Sequence, residues 1–197
     1  MNPVVVVSGR AVPLDRSEVD TDQIIPSDWL KRVERTGFGA GLFAEWRDDR
    51  DFVLNDADYA GANILLAGDN FGIGSSREHA VWALLDYGFE AVVSTKFGDI
   101  FRNNCTKQGL LPVQVDQTVS RRLLDAVLAD PTTEITIDVA RGTIEAPAAG
   151  VSGTFVLDHF TRDRLLNGWD DIGLTLRHQD EIDAFEARRA AWLPTAV

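Results

Sequence analysis

Residues 70–80 read NFGIGSSREHA, set between an apolar run at Ile64 to Gly68 and a second apolar run that ends near Tyr87. The order is strand, glycine loop, helix. Gly72 and Gly74 permit positive φ and a close backbone approach to a ligand, while Ser75 and Ser76 put hydroxyls where a new helix still has unpaired N–H groups. Such a helix start favours an anion, and Arg77 adds a planar fork that matches a carboxylate or phosphate in two parallel hydrogen bonds. Glu78 either complements the helix dipole or orients Arg77. His79 reads first as an ordinary helix residue. Ala80, Ala83, Leu84 and Tyr87 follow the i, i+3, i+4, i+7 pattern and Val81, Trp82 and Leu85 form a second apolar face, so the spacing predicts a buried helix that holds the loop rigidly.

Other glycine loops do not fit. A dinucleotide fingerprint needs a third glycine where Arg77 stands, and a P-loop needs Gly-Lys-Ser/Thr. A serine-hydrolase elbow needs glycines two residues either side of the nucleophile, which neither Ser75 nor Ser76 has.

The chain has 197 residues, 45% of them apolar, enough to bury one full core, and residues 1–197 are expected to form one domain. Nineteen basic against thirty-one acidic residues give a net charge of −12, which argues against nucleic acid or an anionic membrane as partner. An anionic substrate then requires a local basic site, for which Arg77, Lys96, Arg102, Lys107 and the cluster from Lys31 to Arg35 are the candidates. The single Cys105 excludes an internal disulfide, and alone it cannot hold a structural zinc or an iron–sulfur cluster, so no metal is assigned to this chain. One cysteine, four valines as the longest apolar run near the start, and no stretch of membrane-spanning length suggest the cytoplasm.

Along the chain, Val4 to Val7 and Ala11 to Leu14 read as two strands around a Ser8-Gly9 turn. Asp20, Thr21 and Asp22 either point acceptors into a cleft or form a turn of local side-chain caps. Gly37, Gly39 and Gly41 mark a mobile loop at about 28–50, Leu42 to Trp46 a helical turn, and Phe52 to Leu54 a possible strand. After the central helix, with Gly88 as its C-cap, come a strand at Ala91 to Ser94, a helix up to Gly109 and a strand at Leu110 to Val115. A helix follows at Ser120 to Ala129 with Leu123, Leu124, Val127 and Leu128 on one face, then a hairpin at Glu134 to Asp138 and Thr143 to Ala146. A last strand at Thr154 to Leu157 precedes a helical C-terminal segment at about 158–192, in which His159 and His178 read as surface or capping residues. The class is α/β, a mixed sheet with flanking helices.

Three stretches carry a resemblance: GxGSSREHA, VDTDQIIP at Val19 to Pro26, and FGDIFRNNCTKQGLLP at Phe97 to Pro112, with LLNGWDDIGLTL at Leu165 to Leu176 in support. Together they resemble the swivelling domain of the aconitase superfamily, most nearly the small subunits of isopropylmalate isomerases. The resemblance spans nearly the whole chain and implies a swivelling β/β/α fold. It also implies removal and re-addition of water across a carbon–carbon bond beside carboxylates, with a four-iron four-sulfur (4Fe-4S) cluster on a separate large subunit as partner and a small dicarboxylate as substrate. Carried over by position, Ser75 is the base, Ser76 and Arg77 bind substrate carboxylate, and Asp22 helps orient a histidine of the partner chain. Aconitase has an arginine shortly after a Trp-Leu-Lys stretch; here Arg32, Val33 and Glu34 follow Trp29, Leu30 and Lys31. Leu30 and Val33 therefore suit an isopropyl arm, while Arg32 and Arg35 keep a homoaconitate-type tricarboxylate in play; a hydro-lyase for methyl-substituted malates is a further reading within the class. A non-catalytic anion-binding module is the reading outside the enzyme class.

Overall fold

The expected turn at Ser8-Gly9 does not form, because Val6–Leu14 is one continuous strand. A Cβ at Gly9 would fall 2.1 Å from Asn63 Oδ1, and Asn63 Nδ2 donates to the Ser8 carbonyl at 3.1 Å, so this glycine serves a close approach across the sheet. The computed structural model describes residues 1–31, 36–190 and 192. Val33, with Arg32 and Arg35, lies outside them.

The elements run β1 (Val6–Leu14), α1 (Thr21–Ile24), α2 (Ala44–Arg47), β2 (Ile64–Ala67), α3 (Glu78–Tyr87), β3 (Ala91–Ser94), α4 (Asp99–Gln108), β4 (Leu111–Gln114), α5 (Gln117–Ala129), β5 (Glu134–Asp138), β6 (Thr143–Ala146), β7 (Val151–Thr154), α6 (His159–Asn167), α7 (Asp171–Leu176) and α8 (Gln179–Glu186). They form a seven-stranded mixed sheet of order β4-β3-β2-β1-β5-β6-β7. β1 changes character halfway. Val6 to Arg10 pairs antiparallel with β5, and Ala11 to Leu14 pairs parallel with β2. Burial follows the pairing: the first half is partly exposed, whereas Ala11 to Leu14 are all buried, as expected where parallel strands are covered on both faces. Two crossovers, β2-α3-β3 and β3-α4-β4, build the parallel part, and α3 packs against α4. α5 packs on β1, β2 and β7. The mixed α/β sheet with flanking helices is thus as the sequence predicts.

Several local expectations need correction. The glycines at 39 and 41 permit packing: Phe38–Gly41 is a 3-10 turn against α3, where a Cβ on Gly39 would sit 2.8 Å from the Tyr87 nitrogen and one on Gly41 2.4 Å from the Trp29 ring. Phe38, Leu42 and Phe43 are fully buried, so that part of the loop at about 28–50 joins the core, whereas Thr36, Gly37 and Asp48 to Arg50 are exposed. Phe52 to Leu54 is not a strand; Val53–Asn55 is a 3-10 turn, because Phe52 is held edge-on by Phe43 and Trp46. The last strand, β7, ends at Thr154 rather than beginning there, since its partner β6 starts at Thr143, opposite Thr154. α5 starts earlier than predicted because Asp116 caps it by accepting from Val119 N at 2.9 Å, and its Leu128 is exposed rather than on the buried face. Among the described residues no helix is long and apolar enough to cross a membrane.

Candidate active site

The three motifs lie side by side just beyond the C-terminal ends of the parallel strands. On one flank of the glycine loop, Gly72 N and Ile73 N donate to the Val19 carbonyl at 2.7 and 3.2 Å, and Thr21 N donates to the Ile73 carbonyl at 2.9 Å. On the other flank, Phe71 N donates to the Lys96 carbonyl and Gly98 N to the Phe71 carbonyl, each at 2.9 Å. The parallel bridges Asp20 to Ile73 and Phe71 to Phe97 therefore continue the β1-β2-β3 pairing past the strands themselves. A loop held by backbone bonds on both sides keeps its side chains in fixed places.

The loop glycines take positive φ, +75° at Gly72 and +88° at Gly74. A Cβ on Gly72 would fall 2.3 Å from the Phe101 ring, so the missing side chain at Gly72 makes room for Phe101. Gly74 is exposed, with its nearest neighbour, Asp20 Cβ, 3.4 Å from a built Cβ.

Ser75 and Ser76 are exposed, and among the described residues their hydroxyls have no hydrogen-bond partner. They stand ahead of the first helical turn, because α3 begins at Glu78 and its N-cap is Arg77. The helix field therefore reaches them less directly than the sequence suggests, since the dipole effect falls off beyond the first turn. Arg77 does not present a free fork. Its Nη1 makes a short ion pair with Asp22 Oδ1, with the Arg77 side chain 16% and the Asp22 side chain 54% exposed. Asp22 lies on α1, whose N-cap Asp20 forms a reciprocal capping box with Gln23. The Asp20–Asp22 cluster thus divides: Asp20 is a local cap, and Asp22 reaches across to the loop. Glu78 is exposed at the first position of α3, where its charge complements the dipole, and it is not the partner of Arg77. His79 packs among aromatic rings, its centroid 5.3 Å from Phe38 and 4.6 Å from Trp82. His159 and His178 sit at helix starts near Asp163 and Glu181. Leu30 is half-buried within the 3-10 turn Ser27–Lys31 and packs on the core edge.

Thr21 is the residue whose part the sequence left unread. It is 1% exposed, and its hydroxyl donates to the Ser75 carbonyl at 2.9 Å. The DTD triplet contained it, but nothing local shows that the middle hydroxyl spans 54 residues to the serine loop.

A cleft of about 750 Å³ lies beside this region, lined by Asp69, Thr95, Arg102, Asp116, Phe155 and Asp158 among others. It does not include Ser75, Ser76 or Arg77. The serines stand on an exposed surface outside that cleft. The donor set does not fit the iron–sulfur cluster that the resemblance implies for the assembled enzyme. Cys105 is fully buried in α4, burial pushes its thiol well above the ordinary range, and among the described residues no three His, Cys, Asp or Glu side chains converge as metal ligands.

A parallel β1-β2-β3 edge that carries a laced glycine loop, two exposed serines and an arginine defines a domain of the aconitase C-terminal type. The family model described as the aconitase C-terminal domain matches residues 1–118, and the model of the C-terminal domain of 3-isopropylmalate dehydratase small subunits matches residues 171–196. The 3-isopropylmalate dehydratase small subunit of Frankia casuarinae is 64% identical over 100% of both chains, and that of Rubrobacter xylanophilus is 58% identical over 100% of both. With relatives this similar from end to end, the chain belongs to the family of 3-isopropylmalate dehydratase small subunits. Its fold is shared with the crystal structure of 3-isopropylmalate dehydratase from Methanocaldococcus jannaschii, at a TM-score of 0.68 and 24% identity over 92% of this chain and 99% of that one.

Proposed function

We propose that this chain is the small subunit of a 3-isopropylmalate dehydratase, which interconverts 2- and 3-isopropylmalate in leucine biosynthesis and acts only when joined to a cluster-bearing large subunit. The observation that carries the site assignment is the pair of unpartnered, exposed serine hydroxyls beside Arg77, on a loop fixed by backbone bonds on both flanks. The family membership supports the reaction class. A single buried thiol suits a cytoplasmic setting.

In this reading Ser75 moves the proton. As an alkoxide it takes the proton from the carbon beside a carboxylate while the hydroxyl leaves the neighbouring carbon; the proton and a hydroxyl, together one water, then return with their positions exchanged. A serine hydroxyl is a weak base, so its alkoxide needs donors aimed at it, and in other enzymes one such donor is worth about 2.7–4 kcal/mol. Because Ser75 precedes the first turn of α3, the large subunit supplies part of that stabilisation. Ser76 and Arg77 hold substrate carboxylate. Arg77 is already oriented by Asp22, so a substrate carboxylate meets a guanidinium of fixed pose, and the half-exposed Asp22 remains within reach of a partner histidine. Leu30, at the edge of the core, is assigned to the substrate's alkyl arm, together with Val33, which lies outside the described residues. The exposed serine face is covered by the large subunit in the working complex, and the chain works as one swivelling domain.

The test is turnover of 3-isopropylmalate by the reconstituted complex. Ser75→Ala should leave assembly intact and lower kcat by about 10²- to 10⁴-fold, the range of a lost general base. Arg77→Lys should chiefly raise KM, since charge remains and the two-pronged fork is lost. Near-normal kcat for Ser75→Ala would move the base to Ser76 or off this chain.

A further inference from the structure

We propose that Thr21 is a positioning residue for Ser75, its buried hydroxyl holding the serine's backbone in place. The inference rests on Ser75 as the proton-moving group and adds a residue to it. The geometry is specific. Thr21 is 1% exposed, its N–H donates to the Ile73 carbonyl at 2.9 Å, and its Oγ1 donates to the Ser75 carbonyl at 2.9 Å. These two bonds grip the chain on either side of Gly74, the position with positive φ, +88°, and only loose contact around it. A glycine there is the most pliable point of the loop, so without the second bond the backbone of Ser75 is held from one side only. Thr21 itself is well anchored. It is the first residue of α1, behind a capping box made by Asp20 and Gln23, and the next residue, Asp22, ties the same short helix to Arg77. α1 thus fixes both the serine and the arginine from one rigid turn. The side chain does not reach the surface, so it acts through the backbone of Ser75 and not on the substrate.

A displacement of about 1 Å in a reacting group costs about 10²-fold in rate. Thr21→Val keeps shape and burial but removes the donor. In the reconstituted complex it should lower kcat about 10- to 100-fold with KM changed less than about threefold, since Arg77 still has Asp22. Thr21→Ser should restore most of the loss, and Thr21→Val added to Ser75→Ala should cause no further loss. Three results would overturn the inference: kcat within about twofold of wild type in Thr21→Val, no rescue by Ser, or an undiminished effect of Thr21→Val in the Ser75→Ala background. If Thr21→Val does not assemble, Thr21→Ala takes its place, with full turnover again overturning the inference. Failure of the base assignment looks different, because there Ser75→Ala itself keeps near-normal turnover.

Discussion

Gly72→Ala joins the packing of the glycine loop to its chemistry. The substitution meets two obstacles. The backbone at Gly72 has φ +75°, where an L side chain costs about 1–2 kcal/mol. The new methyl would also stand 2.3 Å from Phe101 Cγ and 2.4 Å from its Cδ1, on a ring that is 2% exposed and set edge-on to Phe71. Overpacking of that kind costs about 1–3 kcal/mol, so the sum is about 2–5 kcal/mol. Gly150→Ala is the control, because Gly150 has a similar φ of +61° and nothing within 4 Å of a built Cβ. It should show the backbone cost alone. Urea unfolding followed by circular dichroism, at unchanged m, should then place Gly72→Ala lower than Gly150→Ala by about 1–3 kcal/mol. Trimming the ring by Phe101→Leu should couple to it, the double variant losing less than the sum of the singles. In the complex, turnover should fall as well, since relief of the clash displaces the loop that carries Ser75. Equal stabilities for the Gly72 and Gly150 variants would show that the loop does not rest on Phe101, and the argument for a fixed serine would lose its base.

Three further outcomes are open to measurement. Cys105, fully buried with its thiol pushed up, should resist a thiol reagent at pH 8 in the folded chain and react rapidly once urea unfolds it. Asp130, Asp158 and Asp170 have pKa values lowered by hydrogen bonds with Thr132, Thr161 and Gly173 respectively, so their contribution to stability is complete above the ordinary aspartate pKa of about 3.9 and is lost as pH falls through the lowered folded values. Thermal melts should therefore show Tm dropping below about pH 4, and Asp158→Asn, which cannot ionise, should flatten that dependence. Val33→Arg should weaken turnover of isopropylmalate and raise that of a tricarboxylate such as homoaconitate; an unchanged ratio of kcat/KM between the two would show that residue 33 does not read the substrate's third arm.

The parts of the molecule that can be read from sequence are those in which near neighbours determine one another. The buried helix after the serines, the crossovers around it, the C-cap at Gly88 and the hairpin at 134–146 all follow from periodicity and turn residues a few positions apart. What resists reading depends on residues far away in the chain. Gly9 suggests a turn until Asn63 is seen to occupy its missing side chain. The glycines at 39 and 41 suggest looseness until α3 and Trp29 are found packed against them. Arg77 looks like a free anion grip, yet its guanidinium is paired with an aspartate 55 positions earlier. Ser75, Ser76 and Arg77 stand out because their residue types carry chemistry; Thr21 does not, because a threonine in a turn-like triplet gives no local sign of the carbonyl it holds.

The lacing of the glycine loop has a bearing on the order in which the chain acquires its parts. The bonds that shape residues 71–75 come from residues 19–21 on one side and 96–98 on the other, so neither neighbouring segment in sequence can form the loop alone. Closing contacts of such separation is slow relative to helix formation, and α3 can wind before its leading serines have any defined place. The serine face depends on bonds to both neighbouring segments, so only a chain whose parallel strands are in register presents it. A large subunit that recognises that face would select completed chains and pass over collapsed ones with the helices formed but the strands unpaired. Assembly on such a surface would double as a proofreading step for folding.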